Sequence, residues 1–194
     1  MNLRVVAICS IVVGLLLVGF EAGPEEKAKK EAPTAKILKP RTELLSVGDE
    51  APHFSLLSHE GTTVTLSEFR GKKRVLLIFY PGDDTPASTR QLSSFRDRYE
   101  MFTARDTVVL GINSKKEESH KAFAKKLRLP FPLLVDKAGK VAAAYGCRAS
   151  DGKIKQTVYV IGPYARVELA QREDLSWIEV LDAIDEARYQ GPPQ

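Results

Sequence analysis

The residues of this chain best placed to do chemistry lie in one stretch, Phe79 to Asp97, with the sequence FYPGDDTPASTRQLSSFRD. It follows an apolar run that reads as a buried strand, passes through a Pro/Gly/Asp loop and opens a helix. The spacing Pro81-x-x-x-Thr85-x-x-Ser88 puts a small polar side chain on that helix's first turn. Unpaired backbone N–H groups and the positive end of the helix dipole converge there. Such a place holds an anion or activates a thiol. Here the side chain is an alcohol. Ser88 and Gln91 also fit the S-x-x-Q capping-box pattern, which satisfies helix N–H groups for about 1 kcal/mol.

The stretch resembles the active-site segment of the peroxiredoxins (AhpC/TSA superfamily), in the bacterioferritin-comigratory or peroxiredoxin Q branch. That pattern is FYP-x-D-x-TP-x-CT followed by FRD. Pro81, Asp83, Thr85, Pro86, Thr89, Phe95, Arg96 and Asp97 all fall on it. Ser88 falls where the family has its peroxidatic cysteine, and Ser93 where this branch often has its resolving cysteine. SHKAFAKK (Ser119 to Lys126), LPFPLLVD (Leu129 to Asp136) and AAAYG (Ala142 to Gly146) are similar to the same branch. The resemblance covers about Leu45 to Arg188. It implies a thioredoxin-like α/β fold in its peroxiredoxin form and a thiolate that attacks peroxide to become a sulfenic acid. It also implies a threonine hydroxyl and backbone N–H groups that hold the peroxide, and a proline that shields the pocket. A later strand adds an arginine that lowers the thiol pKa. Aligning Thr157 to Ile161 on the family's last core strand puts Gln156 at the arginine's place. Lys155 is next to it, and an offset of one residue stays open.

An alcohol is a poor substitute for that thiol. A thiol starts near pKa 8.5, and a good site depresses it to roughly 3.5–7.5. An alcohol starts near water's value of about 15.7. A helix N-terminus supplies about 0.3–2 kcal/mol, and each pKa unit needs about 1.36 kcal/mol. That is one or two units, far short of an alkoxide. Oxygen also cannot accept an oxygen atom as sulfur does. Peroxide reduction at Ser88 is chemically implausible on these grounds.

Other candidates are weaker. Cys147 follows Gly146 and precedes Arg148, whose charge could lower its pKa, and it reads as a half-buried or surface thiol. There is no G-x-S-x-G elbow, and none of His53, His59 and His120 is marked as a base for Ser88. Three histidines and two cysteines, widely separated, show no metal-ligand spacing, and no cofactor is expected.

The 194 residues, 43% hydrophobic and 28% charged, suit one globular domain with an appendage. Net charge is +4; six of the 29 basic and four of the 25 acidic residues precede Arg41, leaving +2 beyond it. So mild an excess excludes a nucleic-acid footprint. Met1 to Arg4 form a positive start, and Val5 to Phe20 is an unbroken run of apolar, small or glycine residues. Its length is that of a secretory leader and is short for a membrane span. Residues 1–22 therefore read as a signal peptide, with an uncleaved anchor through 5–20 as the alternative. Export to a periplasm or cell envelope follows. Residues 23–44, rich in Glu, Lys, Ala and Pro, read as a flexible charged linker. The domain is expected over 45–190. Without the leader Cys147 is the only thiol, so no intramolecular disulfide is expected.

The elements that must position Ser88 follow from periodicity. Phe54 to Leu57 and Thr63 to Leu66 read as a hairpin, and Ser67 as the cap of a short turn. Arg74 to Tyr80 reads as a central strand. Pro86 suits the first position of a helix capped by Thr85, whose apolar face (Leu92, Phe95, Tyr99, Phe102) continues to about Thr103. Strands are expected at Thr107 to Asn113, Phe131 to Val135, Thr157 to Ile161 and Val167 to Ala170. Helices are expected at Glu117 to Leu127, with Phe123 and Leu127 inward, and from about Lys140 to Tyr145. A closing helix over Leu175 to Arg188 has Leu175, Ile178, Leu181 and Ile184 on one face, with Trp177 packing. This order implies a mixed central sheet flanked by helices on both faces.

Two functions from different classes fit. One is a peroxiredoxin-fold protein without thiol peroxidase activity, acting by binding, its ligand a peroxide or another small polar molecule. The other is an active thioredoxin-dependent peroxide reductase using Cys147 or a partner's thiol, which alone requires a thioredoxin-like reductant. Neither involves nucleic acid, and only residues 5–20, if uncleaved, would touch a membrane.

Overall fold

The run Arg74 to Phe79, RVLLIF, is buried from its second residue onward because both faces of the strand it forms are covered. It is the middle strand of a five-stranded sheet in the computed structural model, which describes residues 38–173 and 176–190. The elements are β1 (Ser55–Leu57), β2 (Thr63–Thr65), a 3-10 turn (Leu66–Phe69), β3 (Arg74–Phe79), α1 (Pro86–Arg96) and α2 (Tyr99–Thr103). Then come β4 (Thr107–Asn113), α3 (Glu117–Leu127), β5 (Leu133–Val135), α4 (Lys140–Ala144), β6 (Thr157–Ile161), β7 (Val167–Arg172) and α5 (Trp177–Gln190). The strand order is β5-β4-β3-β6-β7, with β1 and β2 paired separately. β3 is parallel to β4 and antiparallel to β6. This is the mixed α/β architecture expected, with helices on both faces.

Alternation along the strands divides the core in two. Val75, Leu77 and Phe79 of β3, with Tyr159 and Ile161 of β6, join Val141, Ala142 and Ala144 of α4, Phe54 and Cys147. Leu76 and Ile78 of β3, with Tyr80 just beyond it and Val158 and Val160 of β6, face the other way. They meet Leu92 and Phe95 of α1, Phe102 of α2, Phe123 and Leu127 of α3, and Val180, Leu181 and Ile184 of α5. Each large aliphatic side chain buried in this way stabilises the fold by about 1.5–3 kcal/mol.

Four local expectations change. Ser67 lies inside the 3-10 turn, whose N-cap is Thr65. The helix after Thr85 is interrupted at Asp97–Arg98, because Arg98 leaves helical geometry (φ −124°, ψ 16°) and lays its guanidinium over the Trp177 ring at 4.3 Å. Leu181 and Ile184 point inward with Val180, whereas Ile178 is 50% exposed. Its place on the inward face is therefore wrong, since the core is reached from the Val180 side. Packing also starts upstream of Leu45: Arg41 N–H donates to Ala143 C=O at 2.9 Å, and Leu38 and Leu44 lie against the core. Leu175, the expected leader and the linker before residue 38 lie outside the described residues. Among the described residues no helix is long and apolar enough to cross a membrane.

Candidate functional site

Ser88 is reached through a loop whose conformation is set residue by residue. β3 ends at Phe79, Tyr80 turns its ring into the α1 side of the core, and Pro81 stands exposed. Asp84 takes φ +58°, a left-handed conformation, and the exposed Asp84 carboxylate meets Lys126 Nζ at 2.6 Å. Thr85 returns to an extended backbone and caps α1, with Pro86 at the first helical position. The Thr85 hydroxyl accepts from Ser88 N–H at 3.1 Å and donates to Ser88 Oγ at 2.7 Å. The cap pair is therefore Thr85 with Ser88. It is not Ser88 with Gln91, because Ser88 already sits on the third helical residue. Ser88 is wholly buried.

Gln91, one turn on, accepts at Oε1 from Gln156 Nε2 at 3.0 Å, while its own Nε2 has no partner among the described residues. Gln156 thus turns toward α1. Its neighbour Lys155 is exposed and is tied through its backbone N–H to Cys147 C=O at 2.8 Å. Ser93 is half-buried on the same helix. Five residues along α1 rotate it about 140° from Ser88.

Beneath the loop lies a polar cluster that no spacing in the sequence advertises. The Asp83 side chain is 2% exposed. It accepts from Tyr80 OH at 3.1 Å, Asn113 Nδ2 at 2.9 Å and Ser119 Oγ at 2.6 Å. His120 Nδ1 lies 3.0 and 3.1 Å from its two oxygens. His120 is wholly buried, and its Nε2 is 3.2 Å from Leu134 C=O. Burial alone would raise Asp83, but the hydrogen bonds of His120, Ser119 and Asn113, with the His120 charge, hold it below the usual carboxylate range. Burial and then the Asp83 charge push the Tyr80 phenol well above its ordinary value. The only sequence signal was that Asp83 and Ser119-His120 each fall in motif-like stretches. Nothing linked the two.

Cys147 is not the half-buried thiol expected. It is wholly buried in the core on the α4 side of the sheet, where its Sγ–H points to Tyr145 C=O at 3.5 Å. Burial pushes the thiol up to about 12, only partly offset by the Thr157 hydroxyl and the charge of Arg172. Arg148 does not tune it: that guanidinium is spent on Gly152 and Ala138 carbonyls. No group of His, Cys, Asp and Glu among the described residues could hold a metal ion.

Residues 47–170 match the model of the AhpC/TSA family. A chloroplastic peroxiredoxin Q of Triticum aestivum is 48% identical over 102 residues, 53% of this chain and 46% of that protein. A putative peroxiredoxin bcp of Coxiella burnetii is 42% identical over 102 residues, 53% of this chain and 67% of that protein. The chain spans about half the length of the plant relatives it matches. Among solved structures, peroxidoxin BcpB of Mycobacterium tuberculosis superposes with a TM-score of 0.68 at 29% identity, over 73% of this chain and 97% of that one.

Proposed function

This chain belongs to the AhpC/TSA family, in its peroxiredoxin Q and bacterioferritin-comigratory branch, and we propose that it has lost thiol peroxidase activity and acts by binding. In this reading Ser88 holds the peroxidatic position, Ser93 the resolving position and Gln156 the arginine position. Thr85 and Pro81 keep the frame. The observation that carries it is Ser88 itself: a buried alcohol at the first turn of α1, closed on the Thr85 hydroxyl, with no cysteine thiol on that face of the sheet among the described residues. A hydroxyl there can donate to or accept from a peroxide or another small polar ligand, but it has no route to a sulfenate. No thioredoxin-like reductant is then needed.

The names of the relatives favour a second reading, a working peroxide reductase that borrows a thiol. Cys147 is a poor source, since the sheet separates it from α1 and burial suppresses its thiolate. That leaves a partner's thiol. Stopped-flow peroxide consumption with a thiol reductant separates the readings. The wild-type chain is expected to show none above background, and Ser88→Cys to gain it. Rapid turnover by wild type, lost in Cys147→Ala, would end the first reading.

We further propose that residues 1–22 export the chain to a periplasm or cell envelope, or anchor it through 5–20, with the linker expected over 23–44 giving way near Leu38 to a packed domain that runs to about 190. The positive start and the unbroken apolar run support this. The mass of the mature amino terminus tests it: cleavage near residue 22 fits a leader, an intact Met1 an anchor.

A further inference from the structure

The Asp83 cluster joins more of the fold than any other polar group at the site. Through Asp83 it holds the loop between β3 and α1. Through Asn113 it reaches the end of β4, through Ser119 and His120 the first turns of α3, and through Leu134 C=O the strand β5. Counting hydrogens fixes its chemistry. A carbonyl oxygen can only accept, so the contact of His120 Nε2 with Leu134 C=O needs a hydrogen on Nε2. The Asp83 oxygens already receive hydrogens from Tyr80, Asn113 and Ser119, which is the pattern of an ionised carboxylate. Such a carboxylate can only accept from Nδ1. For both contacts to be hydrogen bonds, both ring nitrogens must donate at once, as they do in the imidazolium.

We propose that His120, as an imidazolium, is a positioning residue for the Ser88 site: a two-ended clamp that fixes Asp83, and through it the Tyr80–Thr85 loop, against β5. When the ring gives up one hydrogen, either the Asp83 or the Leu134 contact is lost and the loop is freed at that end. The loop carries Thr85, whose hydroxyl sets Ser88, so the clamp reaches the helix N-terminus through three residues of backbone. This holds whether or not Ser88 turns over peroxide. The titratable groups facing His120 come from two elements. The loop after β3 contributes Asp83 and Tyr80, and the β1–β2 turn contributes His59, itself held down mainly by burial and close to Glu60 and Lys121. Asp83 is the one carboxylate that touches the ring among the described residues.

The test is a pH titration of the isotope-labelled full chain by NMR. At the acid end both His120 nitrogens should show one-bond N–H couplings. As pH rises, one coupling should disappear, and the backbone amides of Asp83, Thr85 and Ser88 should shift with the same midpoint. A ring that carries a single hydrogen throughout the folded range overturns the proposal. So does a ring that loses one while those amides stay still. Two variants sharpen it without relying on activity. Ser119→Ala removes a neutral donor and should leave the coupled titration in place. Asp83→Ala removes the acceptor and should abolish the coupling between ring and loop; loop amides that still follow the ring in Asp83→Ala would count against the clamp.

Discussion

The two faces of the central sheet hold the two side chains a chemist would look at first, and each lacks what the other has. On the α1 side, Ser88 enjoys a helix N-terminus, a capping hydroxyl and a rigid polar cluster behind its loop, but its reactive atom is oxygen. On the α4 side, Cys147 has sulfur, but it is packed among Phe79, Tyr145 and Tyr159, where a thiolate is costly. Environment without element, and element without environment, are two different ways to fall short of a thiolate. The lesson is that a motif match reports the first of these and says nothing of the second.

The largest effect should come from putting sulfur on the favourable side. Ser88→Cys is expected to take up oxygen from hydrogen peroxide reversibly, as read by intact mass. Its thiol, followed by thiolate absorbance, should ionise about one pH unit below an ordinary cysteine, the effect of roughly 1.4 kcal/mol at a helix N-terminus. Cys147 in the same molecule should form no thiolate near pH 7. Thiolates that form together on both would erase the contrast.

Next in size is Gly146→Ala. Gly146 has φ +69°, and a Cβ there would lie 2.0 Å from the Glu43 carbonyl oxygen. The left-handed conformation alone costs about 1–2 kcal/mol, and displacing the 43–44 backbone adds to it. A lower urea midpoint and faster labelling of Cys147 are expected, with the Thr85 and Ser88 amides unmoved.

The two faces should also answer to opposite ends of the pH scale. Asp83 is depressed in the fold, so its stabilisation is complete above the unfolded carboxyl value of about 3.9 and is lost as pH falls through the lower folded value. Cys147 is raised, so its contribution is complete below about 8.5 and is lost as pH climbs toward about 12. Urea midpoints measured across pH should fall at both ends. Asp83→Asn is expected to flatten only the acid limb, and Cys147→Ala only the alkaline one.

Smallest of all should be Lys126→Ala. Its partner Asp84 is exposed at 57% and Lys126 at 64%, so the pair is worth about 0–1 kcal/mol. A larger loss would mean that the left-handed Asp84 depends on this pair, which would bring the loop's outer rim into the comparison.

Much of this was legible beforehand. A run as apolar as Val75 to Tyr80 admits little but a strand covered on both sides, and Thr85-Pro86 announces a helix start by local chemistry alone. The Asp83–His120 contact was not legible, because 37 residues separate the partners and only the parallel pairing of β3 with β4, followed by α3, brings them together. The burial of Cys147 was hidden for the same reason. Its surroundings come from β3, β6 and α4, not from Gly146 and Arg148 beside it. The exposure of Ile178 shows the limit of periodicity, which finds the apolar stripe of α5 but not which edge of it meets the sheet.

The way residues 41–45 enter the fold has a mechanical side. Arg41 is joined to Ala143, Leu45 N–H to the Tyr159 hydroxyl, and the Glu43 backbone rests on Gly146. Tension applied through residues upstream of 38 would be taken up first at these few contacts, on the sheet face remote from α1. A pull strong enough to peel them away would bare the cysteine while the serine's surroundings still held.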